Sequence, residues 1–232
     1  MKAATIGTVD ELSVNIKVVR SNPLFEFPDQ IFKSGIKKLS LCFSYELPKS
    51  MCSAEHIKSL RLENVGFPNA NLDSRELVLN CPVLENLIVK NCRIHNFRTL
   101  TISTPQLKSL EFYKWIYDDC VNKKFCCPKL TSFYWSGNIR EDITFKDISA
   151  LTSVTLKDVC LDDRTDHGIQ DEVNFIKHLL KEAKVLTKMV VYFKPEKTIS
   201  SADRLAEFEQ KVLALPAASS NLSISFSSSR ML

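Results

Sequence analysis

The residues of this chain with the most chemistry in them are Asp162, Asp163, Asp166 and His167, four groups within six positions. Carboxylates beside an imidazole can bind a cation or move a proton. The helix-start signals just after them favour a polar loop instead. Cys92 and His95 form the nearest approach to a metal-ligand pair, yet a tetrahedral zinc site needs four ligands and no second pair has suitable spacing. The eight cysteines contain no C-x-x-C pair, and the start MKAATIGTVDELSV has neither an apolar h-region nor a cleavage site, so they read as buried free thiols. There is no phosphate-cradling glycine loop, nucleophile elbow or H-E-x-x-H motif. The reading is a non-enzyme with no metal and no cofactor.

A repeat must position whatever function remains. Pro82, Pro105 and Pro128 stand 23 residues apart and open the phrases CPVLENLIV, TPQLKSLEF and CPKLTSFYW. Each proline precedes an apolar anchor (Leu84, Leu107, Leu130) by two residues, and further apolar residues follow three and five positions after the anchor. This Leu-x-x-Leu-x-Leu spacing is the strand signature of a leucine-rich repeat. Residues i and i+2 of a strand share a face, so Leu87 with Val89, Leu110 with Phe112, and Phe133 with Trp135 point inward together. Proline lacks a backbone donor and suits the bend that feeds the strand. A single repeat cannot bury enough surface to offset its own ordering, so the copies must stack.

Extending the pattern gives anchors at Val9, Ile36, Ile57, Leu84, Leu107, Leu130 and Leu151, at intervals of 27, 21, 27, 23, 23 and 21 residues. An extra copy, Phe97 with Leu100 and Ile102, falls between Leu84 and Leu107, where a compact turn is expected. The position usually given to Asn or Cys holds Cys92 and Asn138 but Val65 and Val159 elsewhere. The solenoid is therefore irregular.

Beyond Asp166 the period becomes helical, with Val173, Ile176, Leu179, Leu180 and Ala183 on one face. KMVVYF then reads as a strand with Met189, Val191 and Phe193 inward. A helix from about Ala202 to Ala214 follows, with Leu205, Phe208 and Val212 inward and Pro216 as its stop. Leu222, Ile224 and Phe226 alternate with serines as a final half-buried strand. The expected fold is α/β, an irregular leucine-rich-repeat solenoid with parallel strands on its concave face (residues 1–165), continued by a helix-strand-helix-strand cap (residues 166–232).

The formal charge of +4 is mild and the lysine pairs Lys37–Lys38 and Lys123–Lys124 are dispersed, which reads as solvated surface rather than a nucleic-acid site. No apolar run reaches a membrane span. A cytoplasmic or nuclear location is the expectation.

The sequence resembles the plant F-box family that carries leucine-rich repeats followed by a C-terminal FBD module. The likeness rests on LDSRELVLNCPVLENLIVKNC, FRTLTISTPQLKSLEF, HLLKEAKVLTKMVV and LALPAASSNLSISF, and runs from VDELSV at residue 9 to Phe226. Ala217 stands where the family commonly has arginine. The resemblance implies a protein-recognition body of a cullin-RING ubiquitin ligase, with an F-box that docks on the Skp adaptor. The only candidate opening for an F-box is FEFPDQIF at Phe25 to Phe32, and a repeat strand, IKKLSLCF, follows within four residues. It reads as the lead-in to that repeat, so the F-box is absent from this sequence and Skp binding is not expected of it. The alternative is a structural or regulatory repeat protein without a ligase link, such as a decoy or scaffold.

The partner-binding candidates lie on the outward pleat positions, which face away from the core. Arg61, Ile88, Thr101, Glu111, Tyr134 and Thr155 form one expected column, and Glu63, Lys90, Ser103, Tyr113 and Lys157 a second. Tyr and Arg suit a protein partner, because they are common in binding hot spots. The target protein itself is not legible.

Overall fold

A computed structural model describes residues 9–16, 27–68, 75–93, 97–113, 122–137, 142–159, 168–194 and 201–228. Among the described residues the main sheet contains nine parallel strands, in the order β1 (Glu11–Asn15), β2 (Lys38–Cys42), β3 (Ser59–Glu63), β5 (Asn86–Lys90), β7 (Ser109–Phe112), β9 (Ser132–Ser136), β11 (Ser153–Val159), β12 (Lys188–Phe193) and β13 (Ser223–Ser228). Among the described residues, one element lies between each pair of successive main strands. These are α1 (Gln30–Lys33), a 3-10 turn (Lys49–Ser53), β4 (Glu76–Leu79), β6 (Thr99–Ser103), β8 (Asn122–Cys126), β10 (Asp142–Lys146), α2 (Gly168–Glu182) and α3 (Ser201–Leu213). Strict alternation of this kind is a solenoid.

The three prolines mark one joint of each turn. Leu84, Leu107 and Leu130 donate their backbone N–H to the carbonyls of Cys81, Thr104 and Cys127, at 3.3, 3.2 and 3.0 Å. Each proline is thus the second residue of a β-turn, where its fixed φ is already correct. The residue before it is fully buried, and the anchor three positions on is buried too. Neighbouring turns are tied at the next residue, where Glu85, Lys108, Thr131 and Thr152 each donate to the corresponding carbonyl of the preceding turn. Thr131, Thr152 and Thr187 add side-chain bonds to those carbonyls, at 3.0, 3.0 and 3.1 Å.

A second reversal closes β3, β5 and β9 and recurs near the end of β11. Asn64, Asn91 and Asp158 have φ of 60°, 51° and 57°, and Gly137 has 130°. Left-handed backbone is least costly for Gly, Asn and Asp, which explains the residue types at this recurring position. The turn drives the next residue inward, so Val65, Cys92 and Val159 are buried.

The extra copy at Phe97 is a correction to the sequence reading. Leu100 and Ile102 belong to β6, a full strand in a second parallel sheet ordered β10-β8-β6-β4. The same ruler governs that sheet: Leu77, Leu100 and Lys123 are in register 23 residues apart, as are Leu79, Ile102 and Phe125. Aromatic contacts join the two sheets, with ring centroids 5.6 Å apart for Phe112–Phe125, 5.9 Å for Phe125–Phe133 and 5.2 Å for Phe133–Phe145. Lys123 is a second correction, since it occupies an inward position and is fully buried, whereas Lys37, Lys38 and Lys124 are exposed. Val9 is a third. At 60% exposure it anchors nothing, and β1 is held by Leu12 and Val14, both half-buried.

The two longer helices replace the second sheet beyond β10. Phe145 meets Phe175 of α2 at 5.9 Å, and Phe208 of α3 meets Phe193 of β12 at 5.4 Å and Phe226 of β13 at 6.4 Å. Val173, Ile176, Leu179, Leu180 and Ala183 are buried, as are Phe208 and Val212. At the other end, the FPDQIF stretch packs Phe27 on Phe32 and Phe43, at 5.8 and 5.0 Å. No described helix is long and apolar enough to cross a membrane.

Candidate protein-binding face

The outward positions of the main sheet line up by strand register. Arg61, Ile88, Glu111, Tyr134 and Thr155 are successive partners across β3, β5, β7, β9 and β11. Two residues further along, Glu63 pairs with Lys90 and Ser136 with Lys157, while Tyr113 follows the end of β7 and donates its N–H to Val89. The structure therefore brings Arg61, Glu63, Ile88, Lys90, Glu111, Tyr113, Tyr134 and Lys157 onto one face. Thr101 and Ser103 are corrected, because they lie on β6 in the second sheet, where the Thr101 hydroxyl donates to Glu76 at 2.6 Å.

The charged groups on this face neutralise one another. Glu63 accepts from Lys90 at one oxygen and from Arg61 at the other, both at 3.0 Å. The Lys90 ammonium first, and then the Arg61 guanidinium, hold the Glu63 carboxyl below the usual carboxylate range against the opposing effect of burial. Next along, the Tyr113 hydroxyl donates to Glu111 at 2.9 Å. Burial, reinforced by that carboxylate, pushes Tyr113 up to about 12, so its hydroxyl stays protonated at neutral pH. The Tyr113 and Tyr134 rings meet at 4.7 Å. Burial also raises Tyr134, a hydrogen bond with Ser136 partly opposes it, and Ser136 donates to Asp158 at 2.8 Å.

Sequence reasoning missed Ser136, Asp158, Val190 and Tyr192. Val190 continues the Tyr134–Thr155 row into β12, and Tyr192 is the next outward residue on that strand. Their signal was available, since they alternate with the inward set Met189, Val191 and Phe193. Asp158 could have been found only from the left-handed turn that follows Lys157.

Asp162, Asp163, Asp166 and His167 lie outside the described residues, as do His95, Cys120 and Cys160. Among the described residues no three His, Cys, Asp or Glu side chains converge on a metal-sized site. Cys81, Cys92 and Cys127 are buried free thiols, and Cys42, Cys52 and Cys126 are free and half-buried. Cys81 donates to the carbonyl of Met51 at 3.4 Å. Burial pushes Cys52 and Cys92 up to about 12 and Cys81 to about 11, far from the thiolate range of a nucleophile.

Comparison with known proteins gives the same picture. Residues 3–170 match the family described as FBD-associated F-box protein At5g56370, LRR repeats. The chain is similar to the putative FBD-associated F-box protein At5g56390 of Arabidopsis thaliana, 35% identical over a stretch covering 28% of this chain and 20% of the relative. It is 38% identical to the probable FBD-associated F-box protein At1g32375 of the same plant, over 28% of this chain and 15% of that one. Its similarity to the putative F-box/LRR-repeat protein At5g02930, also from Arabidopsis thaliana, is lower but longer: 24% identity over 64% of this chain and 31% of the relative. The chain thus spans less than a third of the length of each of these relatives. No solved structure gives a significant match. With its stacked parallel turns and a match running from residue 3 to residue 170, the chain belongs to the leucine-rich-repeat family of FBD-associated F-box proteins.

Proposed function

We propose that this chain is the target-recognition body of an F-box-type ubiquitin-ligase adaptor and grips a protein with the outward face of its main sheet. Leucine-rich solenoids of this kind are typical interaction modules, and the relatives' names carry the F-box. The observation that carries the reading is the Tyr113–Tyr134 shelf, set among ordered ion pairs on an otherwise regular sheet. Tyrosine offers large contact area with few rotors to freeze, which suits a binding surface. The match is to the repeats, so contact with the Skp adaptor is assigned to an F-box that the repeats do not contain.

Affinity purification of the tagged chain from plant cells, beside a Tyr113→Ala/Tyr134→Ala version, tests this. A target protein should accompany the first and be lost from the second, and the chain with an F-box fused to its N-terminus should bring the Skp adaptor and cullin into the preparation and ubiquitinate that target. A target that is recovered but left unmodified by the fusion would favour a scaffold or decoy.

A further inference from the structure

We infer that the partner of this face is a short extended peptide segment of near-zero net charge, bearing an aromatic or aliphatic side chain that lies on the Tyr113–Tyr134 shelf. The inference rests on the recognition reading above and gives it a chemical class. Four cations (Arg61, Lys90, Lys157, Lys188) and three carboxylates (Glu63, Glu111, Asp158) share the face, so their formal charges cancel to within one. Most are already engaged: Glu63 holds both Arg61 and Lys90, Glu111 holds Tyr113, and Asp158 holds Ser136. A highly charged partner would have to break these pairs and would find a surplus of only one positive charge to replace them. A partner of mixed or no charge leaves them intact.

Three further outward groups, Ile88, Val190 and Tyr192, offer apolar contact. Ile88 and Val190 are half-buried at either side of Tyr134 in the same row, and Tyr192 stands on the strand that carries Val190. The row from Arg61 to Val190 crosses five strand spacings, about 24 Å at roughly 4.8 Å each. An extended peptide of about seven residues covers that length at ~3.3 Å per residue. A helix covering it would need about sixteen residues at ~1.5 Å each. An extended segment therefore fixes fewer than half as many residues to cover the row and loses less conformational entropy on binding.

The test is selection from a displayed library of random peptides about twelve residues long against the whole chain. Tyr134→Ala and Tyr134→Phe proteins run in parallel, their folds checked by circular dichroism. Enriched peptides should carry an aromatic or branched aliphatic residue and a net charge near zero. Their binding should fall about tenfold or more with Tyr134→Ala, the scale of a hot-spot residue, and survive Tyr134→Phe. It should change less than about threefold between roughly 0.05 M and 0.5 M salt, because no long-range charge attraction is being screened. Uniformly acidic or basic peptides with steep salt dependence would overturn the neutral-peptide inference and leave the recognition reading standing. Peptides that bind the wild-type and Tyr134→Ala proteins equally would remove both.

Discussion

The Tyr113 ring lies 4.7 Å from that of Tyr134, across neighbouring turns of the solenoid, with its hydroxyl tied at 2.9 Å to Glu111. Both rings are half-buried, so each has one side against the sheet and another open to a partner. An aromatic pair of this geometry contributes about 0.5–1.5 kcal/mol beyond area burial. Tyr134→Ala removes that contribution together with the burial of half a ring, so it should lower stability by roughly 2 kcal/mol, a modest shift of the urea midpoint. A loss of several kcal/mol in urea titration would show that Tyr134 is a core residue and unsuited to recognition.

Phe125 has the opposite expectation. It is fully buried and touches Phe112, Phe133 and Phe145, so it links β7, β9 and β10 at the centre of the stack. Phe125→Ala should cost about 3–5 kcal/mol, since the removed ring leaves a cavity between two sheets that cannot both collapse onto it. Solenoid turns contact only their neighbours, so the damage should also split cooperativity. Urea titration followed at both tryptophan fluorescence and circular dichroism should then give non-coincident transitions, where the wild type gives one.

The main sheet was legible because its phrases are near-identical: Leu84, Leu107 and Leu130 repeat with the proline before them, and a proline-led turn leaves little choice of register. The second sheet uses the same 23-residue spacing, but its inward row reads Leu77, Leu100, Lys123, Ile143. One lysine in an apolar column breaks the alternation that identifies a strand, and its complete tertiary burial overrides the hydropathy. The outward face was legible to the extent that it follows from inward residues by the pleat. Thr101 and Ser103 failed because the pattern gives which side of a strand a residue takes, and says nothing of which sheet holds the strand.

The left-handed residue that closes β3, β5 and β9 and recurs near the end of β11 makes Asn91 a sensitive site. At φ 51° a β-branched side chain collides with its own backbone, while glycine does not. Asn91→Val should lose about 1–2 kcal/mol and Asn91→Gly should stay within about 0.5 kcal/mol of wild type. Thermal melting of the two variants decides it: equal midpoints would mean that the turn relaxes and the φ value carries no constraint.

Alkaline pH should loosen the stack through its thiols. Cys52, Cys81 and Cys92 are raised by burial from the ordinary thiol value of 9.0 to about 12, 11 and 12. An acid whose folded pKa is raised binds its proton more tightly in the folded state, so high pH favours the unfolded chain. The stability tied to these thiols is complete below about pH 9 and is lost progressively as pH rises towards 11 and 12. Tyr113, raised to about 12, acts in the same direction above pH 10. Urea midpoints should hold steady from pH 7.5 to 9 and then fall. Lysine deprotonation also begins above pH 10, so the comparison is with a Cys52→Ala/Cys81→Ala/Cys92→Ala protein. That protein should start less stable and show a shallower decline between pH 9 and 11. Parallel declines in the two proteins would mean the thiols are not what the alkali attacks.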